Sequence, residues 1–145
     1  MILDKTSDEF GTPAYIFEPL QEEFCFGWDA AASKDNALLG PDRCWTKEQD
    51  ALKQDWSGKR IFCNPPYSGS NVKNFITKAY EETRKDCLLA VLLVPTRTEQ
   101  AWFHDIALKY AEVRFIRKRI KFIGGATTAR DSHMLVIFRN WRWIR

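Results

Sequence analysis

An α/β fold built on one twisted, mostly parallel sheet is what the order of apolar segments predicts. Three observations carry that expectation. Residues 88–95, LLAVLLVP, form a continuous apolar run of the kind buried on both faces of a sheet. The strand-like runs before it alternate with helix-patterned stretches, the rhythm of parallel strands joined by crossover helices. After residue 111 that rhythm gives way to consecutive strands, which predicts a C-terminal antiparallel hairpin added to the sheet edge.

The elements follow in order. Thr12-Pro13 has the form of a helix start, with Thr as N-cap and Pro at the first helical position. Ile16, Phe17, Leu20 and Phe24 then recur at helical spacing. CFGWD (25–29) reads as a short strand ending in an acid. Residues 34–58 are mixed and polar, with room for a short helix at 46–53. Arg60–Cys63 reads as a strand. Residues 71–85 are amphipathic, with Val72, Phe75, Ile76 and Ala79 on one face. A helix is expected over 98–110. EVRFIR (112–117), RIKFI (119–123) and HMLVIFR (133–139) read as strands, with Gly124-Gly125 opening a polar loop between the last two. No repeat, low-complexity stretch or linker interrupts the chain, so residues 1–145 are expected to form a single domain.

Composition agrees with one domain. The chain has 145 residues, 45% of them hydrophobic and 28% charged. A domain of that size buries roughly 68–70% of the surface its unfolded chain exposes. No apolar run approaches the ~20 residues that a spanning helix needs. The first residues, MILDKTSDEF, lack the apolar stretch of a secretory signal. The four cysteines, Cys25, Cys44, Cys63 and Cys87, form no CxxC pair, which fits reduced, mostly buried thiols in a cytoplasmic protein. The two histidines, His104 and His133, lie far from any ligand-like spacing, so no metal site is expected. Charge is uneven. Residues 1–113 carry a net −5 and residues 114–145 a net +8. A basic C-terminal part fits a face for a polyanion, and it equally fits exposed arginines along a sheet edge.

The stretch RIFCNPPYSGS (60–70) carries the chemistry. Pro65 and Pro66 fix the backbone extended and lack N–H groups, and Pro65 pushes Asn64 away from helical conformations. Asn64 offers an amide oxygen, Pro65 a carbonyl, and Tyr67 a flat face and a hydroxyl. Two rigid acceptors can take both N–H bonds of a primary amine, and the ring can stack on the heterocycle that bears it. A proline-rich turn followed by Ser-Gly-Ser is the competing structural reading. The segment stands at the carboxyl end of a strand, where open α/β sheets bind ligands, as do Asp29 and Pro95.

NPPY is the motif of the amino-group S-adenosylmethionine-dependent methyltransferases. Over nearly its full length the chain resembles the small phage and prophage DNA N6-adenine methyltransferases, the Dam-like phage family. The matching pieces are Gly11-Thr12-Pro13, Trp28–Ser33, Asp50-Ala51-Leu52, Trp56, Asn64–Ser68, Leu92–Pro95, Trp102-Phe103 and Arg119-Ile120-Lys121-Phe122.

The resemblance implies a compact, Rossmann-like class I methyltransferase fold without a separate target-recognition domain. It implies S-adenosylmethionine as cofactor, DNA as partner and a bacterial host cytoplasm as setting; a monomer is favoured. Asn64, Pro65, Pro66 and Tyr67 are implied to hold the target adenine for direct attack on the methyl group after base flipping. Thr12, Pro13, Asp29, Ala30 and Ala31 are implied to meet the cofactor's methionine part, with alanines where a glycine-rich loop is usual. Asp50 and Ala51 are implied at the cofactor adenine. Asp35 and Asp42 are candidates for the ribose, and the short interval from Asp29 to Asp50 implies a trimmed fold there. Arg119–Phe122 resembles the segment that packs an aromatic on the flipped base. Phe122 is the candidate, and an inward core residue is its other reading. Tyr67, Ser68, Arg117, Lys118, Arg119, Lys121 and Arg130 are the expected DNA contacts. In the tail RNWRWIR, the arginines are read toward DNA and Trp141 and Trp143 as sealing the sheet edge. Loops 68–73 and 124–132 are left to supply any specificity. The alternatives are methyl transfer to RNA or to a protein glutamine, and a nucleic-acid-binding module that has lost catalysis.

Overall fold

The computed structural model describes residues 11–33, 37–125 and 128–143. Five strands form one sheet in the order β1-β2-β3-β5-β4. They are β1 (Trp28–Asp29), β2 (Arg60–Cys63), β3 (Leu89–Pro95), β4 (Glu112–Phe115) and β5 (His133–Arg139). The pairs β1–β2 and β2–β3 are parallel; β3–β5 and β4–β5 are antiparallel. Strands β1 to β4 therefore all run one way, and β5 alone runs against them. Only half of the pairings are parallel, and the antiparallel strand lies inside the sheet rather than at its edge. The C-terminal pair β4–β5 is the antiparallel hairpin expected at the sheet edge, with β5 as its inner strand against β3.

The strands are held by burial on both faces. Along β3, Leu89, Val91 and Leu93 pack with Phe62, Leu135 and Ile137 against Phe17, Leu20 and Phe24 of helix α1 (Ala14–Phe24). Ala90, Leu92 and Val94 point the other way. They join Val72, Phe75, Ile76 and Ala79 of helix α2 (Asn71–Thr83), with Trp102, Phe103 and Ala107. The period-two alternation of a strand thus feeds two apolar layers. The second layer is closed by a helical stretch over 101–110, a π turn at Phe103–Ala107 followed by α3 (Leu108–Tyr110).

Three expectations need correction. Residues 119–123 alternate like a strand, and Ile120 and Phe122 are buried, yet their only ladder contact is an isolated bridge from Ile123 to Gly11. With β5 lodged between β3 and β4, the chain leaving β4 does not pair back along that strand. It turns away at Lys118, which has φ of 67°. Thr12 does not cap α1: the N-cap is Pro13, whose carbonyl accepts from the Ile16 and Phe17 N–H groups. The helix expected over 46–53 shrinks to a 3-10 turn at Ala51–Lys53. Among the described residues between Asp29 and Ala51, the only sheet contact is a parallel bridge from Cys44 to Asp29, in keeping with the trimmed region expected there.

Candidate active site

Strand β2 ends where Pro65 and Pro66 remove the N–H groups that further pairing would need. Asn64 emerges there, at the carboxyl end of β2. Its side chain is pinned at both ends. Nδ2 donates to Thr12 Oγ1 at 3.1 Å. Oδ1 accepts from the Tyr67 hydroxyl at 2.5 Å. The same hydroxyl reaches the Leu93 carbonyl at 3.1 Å. Burial pushes the Tyr67 phenol well above its ordinary pKa, so it stays a donor. The Leu93 carbonyl and Asn64 Oδ1 share that hydroxyl's one proton, and with it on Oδ1 the amide oxygen still has a second lone pair to offer. Arg97, two residues beyond the carboxyl end of β3, donates from Nη1 to the Tyr67 carbonyl at 3.1 Å and anchors the end of the motif.

Asp29 stands at the carboxyl end of β1, next to β2, and is 3% exposed. Burial raises its carboxyl to about 6, against lowering contributions from the Ala31 and Leu38 backbone. The Ala31 N–H donates to Oδ1 at 3.3 Å. No ion pair reaches Asp29 among the described residues. A buried carboxylate without a cation is costly, and it suits a cationic ligand group. Ala30 is buried and donates to the Phe62 carbonyl, so the turn after β1 lies directly on β2. Cys63, beside Asn64, is wholly buried, and burial first and then Asp29 push its thiol well up, so it is no nucleophile.

Thr12, Asn64 and Tyr67 are thus brought together, and Phe122 joins them edge-on, with ring centroids 6.3 Å apart at 71°. Asp50 and Ala51 are not tied to this set by any hydrogen bond. The Asp50 carboxylate caps its own turn by accepting from Leu52 N at 3.1 Å. The Trp56 indole holds the Ala51 carbonyl at 2.9 Å. Asp42 is exposed, and Asp35 lies outside the described residues.

The basic residues divide in two. Arg119 and Arg130 line an open groove of about 590 Å³ together with Arg97, Thr96, Ser132 and the acids Glu99 and Asp131. Arg117, Lys118, Lys121 and Ser68 are exposed outside that lining. Tail arginines go elsewhere, because β5 carries the chain from Pro95 back to Leu89, the far end of β3. There Arg139 pairs with Glu112 at 2.9 Å and Arg142 with Asp86 at 2.8 Å. Trp141 and Trp143 are 44% and 59% exposed and do not seal the edge. The tail residues that are described therefore stand away from the site, contrary to expectation. Sequence reading missed Arg97 and His133. His133 packs against Tyr67 and Phe122, at 5.5 and 5.0 Å between ring centroids.

A family model described as DNA N-6-adenine-methyltransferase (Dam) matches residues 1–145. The chain belongs to the Dam family. A curated Dam relative, the DNA N-6-adenine-methyltransferase of Haemophilus phage HP1 (strain HP1c1), is 28% identical over 139 residues. The match covers 90% of this chain and 78% of the relative. Membership of the Dam family makes the protein a methyltransferase and implies a methyl donor and DNA. No helix among the described residues is long and apolar enough to cross a membrane.

Proposed function

We propose that the protein transfers a methyl group from S-adenosylmethionine to the N6 amine of an adenine turned out of DNA, on a class I methyltransferase core. The observation that carries this is the Asn64 amide, oriented by Thr12 and Tyr67 at the carboxyl end of β2 beside the unpaired carboxylate of Asp29.

The residues present fit the cofactor. Asp29, buried without a cation, is a counterpart for the ammonium of an amino-acid moiety. Ala30 and Ala31 let backbone approach it, Thr12 and Pro13 flank it, and Asp50 and Ala51 meet its adenine. When bound, S-adenosylmethionine supplies an electrophilic methyl group. The protein does the rest by placement. Asn64 Oδ1 and the Pro65 carbonyl accept the two N–H bonds of the target amine. An adenine amine delocalises its lone pair into the ring. Acceptors on both N–H bonds favour the pyramidal form whose lone pair can attack, so they stabilise the transition state more than the ground state. Pro66 keeps the two acceptors rigid. Flipping the base costs a few kcal/mol, and stacking on Tyr67 returns ~1–3 kcal/mol. Arg119 and Arg130 in the groove, with Arg117, Lys118, Lys121 and Ser68, contact phosphates and set register without reading bases. Phe122 packs against the flipped base.

The test offers methyl-labelled S-adenosylmethionine with duplex DNA, RNA and protein substrates in parallel, alongside calorimetric binding of the unlabelled cofactor to wild type and Asp29→Asn. Label in N6-methyladenine of DNA, with binding weakened in the variant, is expected. Label confined to RNA or to protein glutamine would overturn the substrate. Loss of cofactor binding in the wild type would leave only a binding module.

A further inference from the structure

His133 begins β5, opposite Pro95 at the carboxyl end of β3. It is 2% exposed. Among the described residues neither Nδ1 nor Nε2 has a partner in good hydrogen-bond geometry, although the Asp131 backbone lies near enough to act on the ring. Burial lowers its pKa, and the nearby Asp131 backbone and carboxylate oppose this only in part. The ring is therefore a neutral imidazole with one donor and one acceptor, and neither is satisfied in good geometry. Buried polar atoms are almost always satisfied, and those that are not call for an explanation.

The neighbours supply one. His133 touches the two aromatics assigned to the target base, Tyr67 at 5.5 Å and Phe122 at 5.0 Å. Phe122 stands at 71° to Tyr67 with centroids 6.3 Å apart. A base stacked between the two rings needs parallel planes and about two spacings of ~3.4 Å each. Phe122 must therefore turn or withdraw as a base enters, and it lies on a segment held by little ladder. That segment is fastened by the Gly11–Ile123 bridge, by Ala129 N donating to the Ile120 carbonyl, by Gly125 N donating to the Phe122 carbonyl and by Lys121 N donating to the Tyr15 hydroxyl. Movement of Phe122 uncovers the imidazole beside the incoming ring.

We propose that His133 is a base-contacting residue that donates a hydrogen bond to a ring nitrogen of the flipped adenine and so helps select that base. The proposal rests on the placement of the target base at Tyr67. Asn64 and Pro65 recognise only an exocyclic amine, which cytosine also carries. A donor aimed at the ring supplies information that the amine does not. A site built to bond a given atom rejects analogues lacking it, because its own polar group is left unpaired.

The test uses short duplexes that the wild type methylates. Their target adenine is replaced by 1-deaza-, 3-deaza- or 7-deazaadenine, and wild type, His133→Phe and His133→Gln are compared by kcat/KM. His133→Phe keeps a flat ring and removes two buried nitrogens that lack good hydrogen-bond geometry, so its Tm should hold or rise. On adenine it should lose about three- to tenfold, the worth of one neutral hydrogen bond. One analogue should cost the wild type a similar factor and cost His133→Phe nothing further, while His133→Gln recovers part of the loss. Losses that multiply on all three analogues, or no sensitivity of the wild type to any of them, would overturn the proposal. Insensitivity of the wild type to all three analogues overturns the proposal even if one variant misfolds, and His133→Gln stands in for a misfolded His133→Phe. Failure of the wild type on ordinary adenine would instead strike the placement of the base, and this contact with it.

Discussion

The Asn64 amide is held by Thr12 at Nδ2 and by Tyr67 at Oδ1, so the acceptor we propose for the target amine is positioned before substrate arrives. Removing the Tyr67 hydroxyl while keeping the ring separates orientation from stacking. Tyr67→Phe should lower kcat about tenfold with little change in KM for DNA, on the scale of one orienting hydrogen bond. Equal losses in kcat and in DNA affinity would point to stacking instead. Asp29 makes a pH prediction. Its carboxyl titrates at about 6 in the folded chain, against an ordinary value of 3.8. Between those values the folded state holds the proton more tightly than the unfolded state. Stability of the ligand-free protein should therefore fall as pH rises from about 4 to about 6 and then level off. The total is of order 3 kcal/mol. Asp29→Asn should flatten that dependence in denaturant melts across pH, while weakening cofactor binding. At this scale the local motif was legible in the chain, since Asn64, the prolines and Tyr67 are contiguous. Arg97 and His133 were not, because what makes them part of the site is a contact across 30 residues to Tyr67 in one case and strand register opposite Pro95 in the other.

At the scale of elements, strand β3 was the most legible. Seven consecutive buried residues read as a strand covered on both faces, and they are one. Helix α2 was legible from its apolar face. The segment 119–123 was misread for a physical reason: Ile120 and Phe122 alternate inward because they reach the core from outside the sheet, not because a ladder holds them. Local alternation reports which way side chains face and says nothing of backbone partners. The insertion of β5 between β3 and β4 was hidden for the same reason. The basic segment also yields a prediction. If Arg117, Lys118 and Arg119 each meet a phosphate, alanine at each should reduce the slope of log K against log salt by about one and weaken all DNA sequences alike. A titration of duplex binding over salt concentration reads this directly. A change in which sequence is preferred would assign the segment to base reading instead.

The whole molecule is one sheet with an apolar layer on each face, and Phe62 and its neighbours show how the layers are joined to the site. Phe62 is fully buried and meets Phe17 edge-on at 5.3 Å and Phe26 at 5.4 Å. It sits two residues before Asn64 on the strand that places the motif. Phe62→Ala should cost about 3–5 kcal/mol. If residues 1–145 are a single domain, the loss should appear as one shifted transition with equal calorimetric and van't Hoff enthalpies. Two separable transitions in calorimetry would argue for independent units.

In the proposed reaction the Asn64 acceptor drives methyl transfer to the adenine amine. Single-turnover transfer from S-adenosylmethionine to duplex DNA, wild type against Asn64→Ala, tests it most directly. Binding of cofactor and DNA would be measured on the same samples. A loss of about 2.7–4 kcal/mol in the transfer step, roughly a hundred- to thousandfold in rate, with both ligands still bound, is the predicted result. An unchanged transfer rate in Asn64→Ala would contradict it and return Asn64-Pro65-Pro66-Tyr67 to a turn at the end of a strand.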